Sequence, residues 1–236
     1  MPSSLNFVTL SFCSVIPCRF HFILFLLLMT CVSAYAQEEE GDEIVITMDN
    51  EANGLNNQGY EALEQGNYEQ AKKLLWQAIA IDSSVAAYYE NLALACQRSN
   101  DQAGLLKCYA TAKKHITDNP QIFYYSGDVL QNAKRYKEAI RDYDRAIALS
   151  QEDEPPLLHL YYFNRGNSYL KLKQFQQAVD NYDQALEILP QHAPSYANRG
   201  MARYNLKNRD GACADWQSAY DNGYEPAASY QKRFCQ

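Results

Sequence analysis

The stretch HLYYFNRGNSYLKLKQFQQAVDNYDQALEILP, residues 159–190, decides the fold, because its landmarks return elsewhere in the chain at a fixed interval. Asn164-Arg165-Gly166 reappears as Asn198-Arg199-Gly200, 34 residues on. Small residues at Gly59, Ala93, Gly127, Gly166 and Gly200 are separated by 34, 34, 39 and 34 positions. A second track, Ala78, Ala112, Ala146, Ala185 and Ala219, keeps the same gaps, with Leu75, Tyr109, Tyr143, Tyr182 and Trp216 three residues before each. Two tracks at one period of 34 residues predict five units, each of two helices of about 14 residues joined by short turns.

The residue types explain the spacing. Glycine inside a helix costs about 1 kcal/mol relative to alanine, so its recurrence there requires a compensating close approach of the partner helix. Ala71, Ala139, Ala178 and Ala212 supply the small residues on the facing helix, and the aromatic track is expected to fill the space between one unit and the next. Unit 2 departs from this plan, with Leu105 in the alanine position and Gly104 beside it, so its second helix is expected to sit differently or fray. Five extra residues arrive around SQEDEPPLL (150–158), where Pro155-Pro156 stops a helix and an acidic turn is expected.

With Tyr162, Gly166, Tyr169, Ala178, Tyr182, Ala185 and Pro190 in their places, the chain resembles the tetratricopeptide repeat family over about residues 52–224. The resemblance implies an all-α, right-handed superhelical α-solenoid of about five helical hairpins, with repeats near 52–85, 86–119, 120–153, 159–192 and 193–224. EPAASYQKRFCQ (225–236) fits a capping helix, started by Pro226 after Gly223 ends the helix before it. Each hairpin buries only part of its apolar face alone, so neighbours must stack and the last must be covered.

The chain of 236 residues is 47% apolar and 21% charged, an ordinary globular composition. Residues 1–36 differ from the rest: no acid, one basic residue (Arg19), an apolar run from Phe20 to Met29, and small residues at Ala34 and Ala36. This pattern predicts a secretory signal cleaved before Gln37. The alternatives are an uncleaved membrane anchor and lipidation on Cys31, although Thr30 fits a lipidation signal poorly. Cleavage removes one positive charge and shifts the net charge from −7 to −8, an acidic balance that argues against nucleic acid as a partner. Five of the six residues from Glu38 to Glu43 are acidic, and residues 37–51 read as a solvated, mobile leader.

Four cysteines follow the cleavage site, and four allow three pairings. Cys213 with Cys235 is the favoured bridge, because a cap folding back on the last unit brings them together; the other reading is two buried thiols. Cys96 and Cys108 are expected to pack as thiols. His115, His159 and His192 are far apart in sequence and read as surface residues, with no metal site. The acids Asp142, Asp144, Asp180 and Asp183 lie beside inward-facing positions and are expected to point to solvent. Without a Walker loop, a G-x-S-x-G or an H-E-x-x-H, neither an enzyme nor a cofactor is expected.

The resemblance also places a concave groove lined by the first helices. Two residues before each small landmark stand Asn57, Asn91, Tyr125, Asn164 and Asn198, and Asn167 joins them; Tyr60, Tyr124, Phe163 and Tyr204 fall on groove positions in the same frame. Amides both donate and accept, so they suit the main chain of a bound segment, and tyrosines add contact area at low entropy cost. The lysines with which some family members hold a C-terminal carboxylate are missing, since Asn56 and Glu90 stand in those places. Glu64, Glu90, Arg98, Asp128 and Lys171 nearly cancel in charge, pointing to a polar-aromatic segment of a protein partner. A self-associating structural subunit is the rival expectation. The arginine of the repeated tripeptide has no role in this frame.

Overall fold

A computed structural model describes residues 51–150 and 157–235. The expected signal, nearly all of the acidic leader and the centre of the acidic turn lie outside those residues. Every element described is a helix. α1 covers residues 51–64, followed by α2 (Tyr68–Ile81), α3 (Ala86–Arg98), α4 (Gln102–His115), α5 (Pro120–Asn132), α6 (Tyr136–Leu149), α7 (Leu158–Lys171), α8 (Phe175–Ile188), α9 (Ala193–Asn205), α10 (Arg209–Asp221) and α11 (Ala227–Phe234). Odd-numbered helices from α1 to α9 are the first helices of five hairpins, even-numbered ones the second, and α11 is the cap. Each hairpin packs on the next, as an α-solenoid requires.

Local chemistry sets the helix ends. Asp101 and Asn208 cap α4 and α10 by accepting from the amides of Gly104 (2.8 Å) and Gly211 (3.0 Å). Asn119 caps α5, with Pro120 inside its first turn. First helices all stop in the same way. Gly66, Asn100, Lys134, Lys173 and Lys207 adopt positive φ, and the next residue donates back five positions, as from Arg135 to Leu130 and from Asn208 to Arg203. These five turn residues follow the same 34, 34, 39, 34 gaps. Three of them are lysines, which do not advertise a left-handed turn, so this third track is invisible to composition.

The glycine landmarks face the partner helix closely, as expected, whereas the aromatic track lies within a hairpin rather than between hairpins. A Cβ built on Gly127 would lie 2.5 Å from the ring of Tyr143 on the partner helix, and one on Gly200 would lie 2.6 Å from Trp216. The aromatic track therefore sits on the glycine of its own unit, because the ring fills the space that the missing side chain leaves. Gly54, also helical, has nothing within 4 Å of such a Cβ. Gly127→Ala is expected to destabilise by about 1–3 kcal/mol through overpacking, whereas Gly54→Ala stabilises by about 0.4–1 kcal/mol. Urea unfolding of the two variants checks this, and equal shifts of one sign would contradict it.

α4 does not fray. It runs a full 14 residues, with Leu105 buried against the core. Gly104 keeps the space beside it open for the capping carboxylate of Asp101 and the sulfur of Cys96, and Lys72 on α2 donates to the same carboxylate at 2.8 Å. A capped first turn with an inter-repeat ion pair holds a helix that its sequence alone makes doubtful.

The cap closes over Trp216. Phe234 and Tyr230 lie with ring centroids 5.6 Å from its indole, Tyr204 packs on Phe234 at 4.7 Å, and Arg209 Nε donates to the Phe234 carbonyl at 2.7 Å. Cys213 and Cys235 are bridged, with Cα atoms 5.8 Å apart. Cys96 and Cys108 are buried free thiols; burial pushes the Cys96 thiol up to about 11 and the Cys108 thiol higher, so both are inert packing groups.

Candidate functional site

The landmark asparagines lie on one face of the stack, and most are joined to the neighbouring first helix. Asn91 Nδ2 on α3 donates to Asn56 on α1 at 2.9 Å. Asn164 Nδ2 on α7 donates to the Tyr124 hydroxyl (3.1 Å) and to Asp128 Oδ1 (2.9 Å) on α5. Asn198 Nδ2 on α9 donates to Asn167 Oδ1 on α7 at 2.8 Å. Their partners sit 31–40 residues away in sequence, one repeat back. These amides stitch successive first helices together, and the hydroxyls of Tyr143 and Tyr182 tie the line to the core by donating to Asp128 (2.6 Å) and Asn167 (2.8 Å). Burial nonetheless raises the Asp128 carboxyl above the usual carboxylate range.

The aromatic positions divide. Tyr60 is 45% exposed and Asn57 is open to solvent on α1. Tyr124, only 6% exposed, stacks on Tyr161 with centroids 4.6 Å apart and serves packing between α5 and α7. Phe163 is half-buried against Tyr182 and His192, and Tyr204 half-buried under the cap. Tyr125, also half-buried, borders two clefts between α3 and α5, of about 350 and 400 Å³.

The arginine of the repeated tripeptide acquires a role. Arg165 donates to Asn181 of its own hairpin (2.6 Å) and to Asp144 of the preceding second helix (2.6 Å), and lies over the Tyr162 ring. Arg199 repeats this on Asp215 and Asp183, over Tyr196. Each guanidinium therefore joins two successive second helices through the first helix between them. A planar fork with several donors suits that position. In unit 3 the same place holds Ser126, and Lys113 from α4 reaches Asp142 instead. The expectation of solvated acids fails for Asp142, whose side chain is 13% exposed beneath Lys113; Asp144 and Asp180 are exposed as expected, and Asp183 is partly exposed while pairing with Arg199 of the next hairpin.

His115 is exposed as expected, but His159 and His192, far apart in sequence, are brought together. His159 and His192 meet edge to face with centroids 5.2 Å apart, because a separation of 33 residues is close to one repeat. His192 Nδ1 lies 2.7 Å from Ser195 Oγ, and burial, then the neighbouring His159, holds its ring below the usual value. Among the described residues no three His, Cys, Asp or Glu side chains gather as a metal site.

Tetratricopeptide repeat models match residues 52–84 and 119–191. The chain belongs to the tetratricopeptide repeat family. Tetratricopeptide repeat protein 6 of Homo sapiens is 30% identical over 154 residues, 63% of this chain but 28% of that protein, so the chain spans little more than a quarter of this relative. Among solved structures, MamA aligns with a TM-score of 0.65 at 18% identity over 77% of this chain and 96% of its own. YrrB, a TPR protein with an unusual peptide-binding site, aligns with a TM-score of 0.64 at 21% identity over 75% of this chain and 90% of its own. Both likenesses are of fold. A tetratricopeptide fold supports a protein–protein interaction scaffold.

Proposed function

We propose that this tetratricopeptide protein is a non-enzymatic adaptor that holds a polypeptide segment against the face made by its first helices. The observation that carries this is the pair of open clefts between α3 and α5, flanked by Tyr125, on a face whose other junctions are closed by hydrogen bonds. The exposed Asn57 and Tyr60 extend the same face over α1. YrrB, with its peptide-binding site, shares the architecture. A photo-crosslinking side chain placed at Tyr60 is expected to capture a partner polypeptide, whereas one at Glu187, exposed on second helix α8, captures little. Equal capture at both positions, or none at Tyr60, would defeat the proposal.

The adaptor works outside the cytosol. The apolar segment with Ala34 and Ala36 is a signal in this view, and the Cys213–Cys235 bridge suits an oxidising compartment. No helix among the described residues is long and apolar enough to cross a membrane. Mass spectrometry of the mature N-terminus is expected to find Gln37; a lipidated Cys31 means a surface anchor and an intact Met1 overturns cleavage.

A further inference from the structure

The line of asparagines breaks once. Tyr125 on α5 occupies the position that Asn91, Asn164 and Asn198 hold in their units, and it has no amide with which to reach back to the preceding first helix. α3 is joined to α1 by Asn91 with Asn56, by Tyr88 with Asn53 and by Arg98 with Glu64. α7 is joined to α5 by Asn164 and Gln131, and α9 to α7 by Asn198. Among the described residues no such hydrogen bond or ion pair crosses from α3 to α5, and that junction is where the two clefts lie. Leu105, in a place where the other units have alanine, forms part of the wall of the larger one.

The charge of these clefts is one-sided. Glu90 lines one and Asp128 the other, and neither is lined by a lysine, arginine or histidine. The arginine closest in sequence, Arg98, pairs with Glu64 across α1. Tyr109 and Tyr125 border both clefts, and Leu94 and Leu105 give each an apolar patch. An aliphatic stem with a cationic end matches this combination: the stem lies on the tyrosines and leucines, the cation reaches the carboxylate, and a tyrosine face attracts it further. Asp128, held protonation-prone by burial, gains from a cation beside it.

We infer that the α3–α5 junction is the specificity-determining subsite for a basic polypeptide segment, one that places lysine or arginine side chains in the Glu90 and Asp128 clefts about Tyr125. This inference rests on the first-helix face being the binding surface, as proposed above. It replaces the near-neutral groove expected from sequence, because the pairing of Arg98 with Glu64 leaves the acids of this junction unopposed.

Fluorescence anisotropy with a labelled Lys-Leu-Ser repeat peptide, and with its Glu-Leu-Ser counterpart, tests it on the intact protein. The lysine peptide is expected to bind and the glutamate peptide not. Glu90→Lys, and Tyr125→Asn, which restores the asparagine series, are each expected to weaken binding about tenfold or more. Glu187→Lys makes the same charge change at an exposed position of α8 and is expected to weaken it less than about threefold, which screens out general attraction to an acidic chain. Circular dichroism melts confirm that each variant is folded. Preference for the glutamate peptide, binding of neither peptide, or indifference to Glu90→Lys overturns the subsite. If Tyr60→Ala weakens binding and Glu90→Lys does not, the subsite fails while the face survives; if no first-helix variant matters, both fail.

Discussion

Arg199→Ala is expected to lower the unfolding free energy by about 3–5 kcal/mol. The guanidinium touches Asp215 through Nε and Nη2, at 3.1 and 2.6 Å, and Asp183 through Nη1. Asp215 is 3% exposed, so truncation strands a buried carboxylate with Arg203 Nη1, at 3.0 Å, as its remaining ion-pair partner. The loss arises chiefly from that stranded charge rather than from the attraction removed. Arg165 provides an internal comparison, since its partners are the neutral Asn181 and the half-exposed Asp144. Arg165→Ala is expected to cost about 1 kcal/mol, near the ordinary worth of a hydrogen bond with an exposed ion pair. Urea unfolding of both variants measures the difference, and equal losses would show that burial of Asp215 is not the cause. Arg199→Ala with Asp215→Ala is expected to recover part of the loss, since the buried carboxylate left with Arg203 alone is then removed.

Reducing the Cys213–Cys235 bridge, or replacing both cysteines with alanine, is expected to cost about 3 kcal/mol and to lower Tm by roughly 6–12 °C. The bridge closes a segment with a sequence separation of 22 and pins an eight-residue helix that is too short to persist alone. Its release frees Phe234 and Tyr230 from Trp216, exposing the last hairpin as an uncapped end. Hydrogen exchange is expected to localise the first loss of protection to α11 and α10. Protection lost equally in α3 and α4 would contradict a role confined to the cap. Cys96→Ala and Cys108→Ala serve as controls for loss of a cysteine without loss of a bridge, because these buried thiols form no disulfide.

Much of the architecture was legible because its determinants are local and repeated. Gly127, Ala146 and Tyr143 mark a hairpin by spacing alone; the need for a folded-back cap favoured the pairing of Cys213 with Cys235 over two buried thiols, and the bridge is formed. The positive-φ lysines at 134, 173 and 207 were not legible, since their conformation is imposed by the hydrogen bonds that end each helix rather than by side-chain preference. Nor was the integrity of α4, which depends on Asp101 capping it while Lys72 reaches over from another repeat.

The candidate site shows the same division. Sequence picked out Asn164 and Asn198, but not that both are engaged by the preceding helix, nor that Tyr124 is buried while Tyr60 is open. It paired neither His159 with His192 nor Arg199 with Asp215. Periodicity by itself determined that this chain folds as stacked helical hairpins, because the residues that make a hairpin are neighbours along the chain. Only the tertiary structure decided which face positions remain available to a ligand. That depends on how one repeat meets the next: a side chain whose partner lies a whole repeat away reveals nothing of its partnership until the hairpins are packed.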